Sequence, residues 1–410
     1  MAATLNLHKL FSGRDGYLDE LRVEDHETAL LRAAREEIRE TLRGAFRNWE
    51  AYVRRVELFD GWLAKAATDV SLPAPKFRIQ GSFAYHTVND CQQTPPQQID
   101  QDDGVFLPIG FLTNSGTTRP AIASRAYFSL VEQALRPLCE KRGWRLNPGA
   151  RPKNTCVRVE ITERLHIDLP LYAIRDDAFN RLVETAAASA MRKSLPAFDA
   201  EGTIELAEEV YRGLDAAEIM VAHREKGWVE SDPRKLEDWF SNAIAIYGEQ
   251  VRRVSRAYKG LRDARWSASS LSSICLMAGV VTAYERLGRL DPNRDDLALM
   301  QTAREMADIF QHPVENPVYP GQQDKCLCAG WTPEFRAEVR RVFIDAADQL
   351  EAAIHDTLNR TIALGRAKSA FGPRIPDDID LISTLGAVQV IRQTQPEPQP
   401  KPMPPRTRSG

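Results

Sequence analysis

From Ala29 to about Ala67, apolar residues recur mostly at steps of three and four: Leu30, Leu31, Ala34, Ile38, Leu42, Phe46, Tyr52 and Val56. That spacing lines one face of an α-helix, and the segment holds no proline, so it predicts one long amphipathic spine with a bend near Gly44. Pro73 and Pro75 then break the helix. Short β-type runs follow at Phe77–Gln80, Gly104–Leu107, Val157–Ile161 and Leu165–Ile174, with a helix from Ile122 to about Glu140 among them, ending near Gly143. Beyond about Asp199 the helical spacing returns over Glu205–Leu214, Lys235–Gly260, Ser269–Leu287, Asp295–Phe310 and Pro333–Leu364. The pattern predicts an α+β chain in three parts: a mixed lobe over 1–200, a helical lobe over 201–391 and a tail over 392–410. Six prolines among the last fifteen residues, alternating with polar ones, favour extended polyproline II and cannot bury a core.

At 410 residues the chain has room for two to three domains. Lys and Arg number 54 against 57 Asp and Glu, a formal charge of -3, which argues against a non-specific duplex binder and against a long polyanionic template. The apolar stretch near the amino end is interrupted by His8 and Lys9, and no run reaches the ~18 apolar residues of a membrane span, so a cytoplasmic protein without a membrane partner is expected. The six cysteines are scattered and expected as reduced thiols. Cys326-Leu327-Cys328 with His312 upstream lacks the paired spacing of a structural zinc site.

Chemistry concentrates in three pieces of the mixed region: Gln80-Gly81-Ser82-Phe83, then Gln98-Ile99-Asp100-Gln101-Asp102-Asp103-Gly104, then His166-Ile167-Asp168-Leu169-Pro170. On a strand, i and i+2 share a face, so Asp100 and Asp102 point together, and Asp168 lies in a second alternating run. Converging carboxylates raise one another's pKa unless a divalent cation neutralises them, and oxygen donors beside a triphosphate suit Mg²⁺ or Mn²⁺. Two such ions about 3.5–4 Å apart serve an in-line displacement. Gly81 lets the backbone approach a phosphate closely, and Ser82 can donate to its oxygens. The ordered set describes a nucleotidyl-transfer site. Asp100 to Gly104 lacks the spacing of a calcium loop. His86 and His166 receive no role, because neighbouring positions on a strand face opposite ways. Arg252, Arg256 and Lys259 fall at i, i+4 and i+7 on one helical face, which by itself reads as a solvated stripe.

Gly-Ser, then D-x-D about twenty residues on, then an Asp between apolar neighbours on a strand, resembles the polymerase-β-like nucleotidyltransferase superfamily. QGSFAYHTVND, QIDQDDGVFLP and HIDLPLYAI are similar to the bacterial cGAS/DncV-like nucleotidyltransferases, and most to the DncV-type cyclic GMP-AMP synthases. The resemblance spans roughly residues 20–370, with its specific motifs between 77 and 175. It implies a catalytic lobe with a mixed central sheet, a spine helix, and a helical lobe enclosing ATP and GTP. It implies that Asp100 and Asp102 ligate two Mg²⁺ or Mn²⁺ ions, that Asp168 holds the catalytic one, and that Gln80, Gly81 and Ser82 contact the donor triphosphate. Tyr85 is expected to stack on a base. Lys259 and Ser273, in SRAYKGLRDARWSASSLSSICL, and Arg158, in TCVRVEI, are expected at nucleotide phosphates. The implied product is a cyclic dinucleotide messenger of anti-phage (CBASS) defence that activates a separate effector. For the tail two readings stay open: conjugation through Gly410 by an E1-E2-like enzyme, and a plain flexible end. A template-free RNA or tRNA-end nucleotidyltransferase, or a synthase of another cyclic di- or trinucleotide, would use the same aspartates.

Overall fold

The computed structural model describes residues 5–54, 74–108, 124–174, 219–231, 233–322 and 325–384; the tail, Gly410 and the expected helix over 205–214 lie outside them. In chain order the elements are β1 (Leu5–Asn6), α1 (His8–Ser12), α2 (Tyr17–Glu20), α3 (Asp25–Arg47), β2 (Lys76–Gln80), α4 (Gly81–Ala84) and β3 (Ile99–Pro108). Then come α5 (Ser124–Arg142), β4 (Arg145–Leu146), β5 (Cys156–Glu160), β6 (Leu165–Ile174), β7 (Ile219–His223) and β8 (Gly227–Glu230). The remainder comprises α6 (Pro233–Tyr247), α7 (Gln250–Arg265), α8 (Ser273–Leu287), α9 (Asp295–Ile309), α10 (Pro333–His355), α11 (Arg360–Phe371) and β9 (Ser383–Thr384).

Seven strands form one mixed sheet in the order β2-β3-β6-β5-β4, with β7 on β6 and β8 on β7. Only the β3–β6 pair is parallel. One face is apolar: Val105, Leu107, Ile167 and Leu169 pack with Leu31, Ile38, Leu42 and Phe46 of α3 and with Phe128, Val131 and Leu135 of α5. The spine reads as the sequence predicts up to Arg47, running through Gly44; Asn48 leaves the helical region at φ -118°. Asp103, which alternates to the α3 face, is fully buried and held by Arg39 through Nε–Oδ2 at 2.7 Å and Nη2–Oδ1 at 2.5 Å. This paired, buried charge anchors the spine to the strand that carries Asp100 and Asp102.

A second core gathers Tyr258, Tyr284, Phe310, Phe343 and Phe371 among α7–α11. Here the structure departs from the sequence expectation in three ways. Two expected helices are each divided: Gly248, at φ +96°, separates α6 from α7, and a break over 356–359 separates α10 from α11. Apolar spacing alone reads across such breaks. The N-terminal residues Leu5, Leu7, Leu10, Phe11, Tyr17 and Leu18 join the helical core rather than the sheet, with Leu7 N–H donating to Asp296 Oδ2 at 2.9 Å and β1 pairing with β9. And β7 and β8, beyond the expected end of the mixed lobe, extend the sheet, Val221 pairing with Tyr172. The six cysteines are free; Cys326 and Cys328 bring their sulfurs to 3.2 Å, and Cys328 reaches the backbone carbonyl of His312, not its imidazole. No helix among the described residues is long and apolar enough to cross a membrane.

Candidate active site

On the sheet face opposite α3, the strand register lines up side chains in two rows. Gln80 pairs with Asp102, Asp102 with Asp168 and Asp168 with Arg158, so one row crosses β2, β3, β6 and β5. The next row runs Asp100, His166, Glu160, Arg145. Laterally paired residues share a face, as do i and i+2 along a strand, so Asp100, Asp102, Asp168 and His166 converge. His166 is thus the group the sequence reading passed over. Adjacent positions on a strand face opposite ways, but His166 stands two residues before Asp168, so the alternation that joins Asp100 to Asp102 also puts it beside Asp100.

One donor atom each from Asp100, His166 and Asp168 lies within 4.8 Å of the others, the one such cluster among the described residues. Asp168 and His166 are buried, at 3% exposure each, while Asp100 is open to solvent at its outer edge. Arg158 grips Asp168 through Nε–Oδ1 and Nη2–Oδ2, both 2.7 Å, and Lys153 Nζ adds a contact to Oδ2 at 2.9 Å. Burial alone would raise the Asp168 pKa, but the Arg158 hydrogen bonds and charge, with Lys153, hold it below the usual carboxylate range. Asp102 is pushed the other way, to about 7, by burial first and then by the charges of Asp100 and Asp168. Even with two cations at its rim, the cluster is short of positive charge. Asp100 Oδ1 and both ring nitrogens of His166 are buried without a hydrogen-bond partner. Oxygen donors starved of countercharge, with unpartnered atoms facing one another, fit a divalent cation.

Gly81 opens α4 at φ +65°, and a Cβ there would stand 2.1 Å from Asp102 Oδ2. Only glycine lets this turn close over that carboxylate. Ser82 follows, half-buried, on α4. Gln80 is buried; its Oε1 accepts from Tyr172 Oη at 3.1 Å, and its Nε2 has no partner. Gly104 leaves room for that amide, since a Cβ would meet Nε2 at 2.8 Å.

The other expected nucleotide contacts are placed differently. Arg158 is committed to Asp168 rather than reaching outward. Arg252, Arg256 and Lys259 form neither a solvated stripe nor a free phosphate cradle. Arg252 Nε donates to Tyr85 O at 3.0 Å, Arg256 Nε to Asn89 Oδ1 at 3.0 Å and Lys259 Nζ to Thr87 O at 2.6 Å. Asn89 Nδ2 returns a bond to Arg256 O at 2.8 Å. These contacts clasp α7 to the segment that follows Gly81-Ser82, tying the helical half to the sheet half. Lys259 is buried, and burial first, then the neighbouring Arg262 and Arg256, push its pKa down to about 7. Tyr85 packs its ring 6.3 Å from that of Phe240, at the edge of the helical core. Ser273 sits at the start of α8, its Oγ accepting from Arg262 Nη1 at 3.0 Å.

Residues 75–172 match the family described as "Cyclic GMP-AMP synthase DncV-like, nucleotidyltransferase domain", and residues 248–384 match "Cyclic GMP-AMP synthase, C-terminal domain". A cyclic GMP-AMP synthase of Escherichia coli (strain TW11681) is 31% identical over 326 residues, covering 76% of this chain and 70% of that protein. One from Vibrio cholerae serotype O1 is 28% identical over 417 residues, covering 92% of each chain. The fold also matches a crystal structure of Vibrio cholerae DncV cyclic AMP-GMP synthase in complex with the linear intermediate 5' pppA(3',5')pG, with a TM-score of 0.73 at 26% identity over 94% of this chain and 100% of that one. With its sheet lobe and its helical lobe each matched, in this order, the chain belongs to the DncV-like cyclic GMP-AMP synthase family of nucleotidyltransferases.

Proposed function

We propose that this chain joins ATP and GTP into a cyclic dinucleotide, cyclic GMP-AMP, in two successive nucleotidyl transfers at one site. The observation that carries the reading is the row Gln80–Asp102–Asp168 with Asp100 beside it, closed at one end by the Gly81 turn. In each transfer a ribose hydroxyl attacks the α-phosphate of the other nucleotide, one phosphodiester bond forms, and pyrophosphate leaves. The linear intermediate held by the Vibrio cholerae relative supports a first product that still carries a triphosphate, ready for the ring-closing step.

Each residue then has a task. Gly81 and Ser82 bring backbone N–H groups and a hydroxyl against the triphosphate, and the free Nε2 of Gln80 donates from the adjoining strand end. Asp100, Asp102 and Asp168 would hold two Mg²⁺ or Mn²⁺ ions, which would supply charge stabilisation to the phosphoryl transfer. Arg158 and Lys153 keep Asp168 ionised and aimed until its oxygens are needed. Lys259 acts on the phosphates through its clasp on Thr87, which fixes the loop after Ser82, and Tyr85 on that loop is the residue to stack on a base. Ser273 completes the nucleotide pocket from the helical side. The near-neutral charge suits free nucleotides. The setting proposed is cytoplasmic CBASS defence, the product activating a separate effector, with Gly410 of the tail available to an E1-E2-like conjugating enzyme.

Incubation with labelled NTPs and Mg²⁺ or Mn²⁺, followed by phosphatase and mass analysis, tests the reading. A phosphatase-resistant species containing one A and one G is expected, and none from an Asp100→Ala/Asp102→Ala variant. Linear, phosphatase-sensitive chains as the end product would support template-free polymerisation instead.

A further inference from the structure

The cluster holds a nitrogen that a purely carboxylate site does not need. His166 is 97% withdrawn from solvent, and neither of its ring nitrogens has a hydrogen-bond partner. Its Nε2 lies 2.8 Å from Asp100 Oδ1 without the alignment of a hydrogen bond. A buried imidazolium would leave its second N–H unmet, which is costly, and a neutral ring would either set its Nε2 lone pair against a carboxylate oxygen or hold its Nε2–H there out of line for a hydrogen bond. Shared ligation to one cation places positive charge between Nε2 and Oδ1 and accounts for a close contact that is not a hydrogen bond. Two donors about 2.1 Å from an octahedral ion, on adjacent vertices, stand about 3.0 Å apart, close to the separation observed. Asp168 completes the set within 4.8 Å.

We infer that His166 is a nitrogen ligand of the divalent cation at this site and that it biases the site toward Mn²⁺ over Mg²⁺. The inference rests on the metal reading proposed above and goes beyond it, because imidazole is a softer donor than carboxylate and Mg²⁺ keeps to oxygen and water. His166 pairs with Asp100 across β3 and β6 and stands two residues from Asp168 on β6, so the ion it binds is the one within reach of both carboxylates.

The test uses the full chain with Mn²⁺ as the probe, added below one equivalent, and pulsed electron paramagnetic resonance. Directly bound imidazole gives a ¹⁴N coupling on Mn²⁺, which changes to the ¹⁵N pattern in protein carrying ¹⁵N-histidine. The coupling is expected in the wild type, lost in His166→Asn, and lost with the bound Mn²⁺ itself in Asp100→Ala/Asp102→Ala. Competition titrations should show the Mn²⁺-over-Mg²⁺ affinity ratio falling about tenfold or more in His166→Asn, within the range seen when groups around a metal are removed. If His166→Asn fails to fold, the wild-type coupling and its loss with the two aspartates still assign the nitrogen to this cluster. Mn²⁺ bound through the aspartates with no nitrogen coupling would overturn the inference and leave the metal reading standing. Coupling that survives in His166→Asn would overturn it as well, and a wild type that binds no Mn²⁺ would overturn both.

Discussion

Asp102 offers the most direct check on the electrostatics of the cluster, because its neutral isostere removes one charge and keeps the shape. In the folded chain its pKa stands at about 7 against an ordinary 3.8, burial being the main cause and Asp100 and Asp168 the next. A carboxyl whose folded pKa is raised favours the folded state fully only below the unfolded pKa. That contribution is lost as pH climbs from about 4 and is gone above about 7. At about 1.4 kcal/mol per pH unit, the gap amounts to roughly 4 kcal/mol, a ceiling that relaxation around the site lowers. Asp102→Asn carries no such titration. In urea denaturation with a chelator present, the variant should match the wild type near pH 4 and exceed it by 2–4 kcal/mol at pH 8, the difference growing between. Saturating Mg²⁺ should narrow the difference at pH 8, since a cation bound by the folded wild type stabilises it by mass action. A variant no more stable than wild type at pH 8, or a difference that is flat from pH 4 to pH 8, would refute the reasoning.

Other substitutions probe the surrounding parts. Gly81→Ala should cost about 1–3 kcal/mol from the left-handed backbone alone and should abolish product formation, because its Cβ takes the space of Asp102 Oδ2; wild-type turnover from a folded Gly81→Ala would contradict the close approach. Arg158→Gln leaves Asp168 buried with Lys153 as its remaining cation, and a loss of about 3 kcal/mol at pH 7 is expected from denaturant titration. Because Asp168 has a lowered folded pKa, its stabilising contribution exists above the unfolded pKa and disappears in acid, so the Arg158→Gln penalty should shrink toward pH 3. Lys259 sheds its proton in the folded chain at about 7 but keeps it to about 10.5 when unfolded. Wild-type stability should therefore gain from this group as pH rises from 7 to 10, a slope that Lys259→Met removes in a thermal-shift series.

Much of the site was legible in the chain because strand chemistry is periodic. The pleat alone says that Asp100 and Asp102 share a face and that Asp103 does not, and the structure gives Asp103 to Arg39 on the far side. His166 falls under the same rule, since it stands two residues before Asp168 on β6. The basic stripe on α7 was legible as a stripe but not as a clasp, since its acceptors are backbone carbonyls of Tyr85 and Thr87 and the side chain of Asn89, and carbonyls leave no mark in a sequence. Likewise β7 and β8 are too short to announce themselves; they become strands because β6 outruns β5 and leaves Tyr172 to Ile174 with an open edge.

By itself, then, the sequence determined what depends on near neighbours along the chain: the amphipathic spine, the alternating strands, the pairing of Asp100 with Asp102 and the need for a glycine in the turn before Ser82. The tertiary structure decided which strands lie side by side and in what register. It set Gln80, Asp102, Asp168 and Arg158 in one row, committed Arg158 to a carboxylate, threaded the first residues into the helical core and brought His166 against Asp100. The physical reason is range: local periodicity is written in steps of two to four residues, whereas register is set by backbone hydrogen bonds and buried side chains that join segments far apart in the chain.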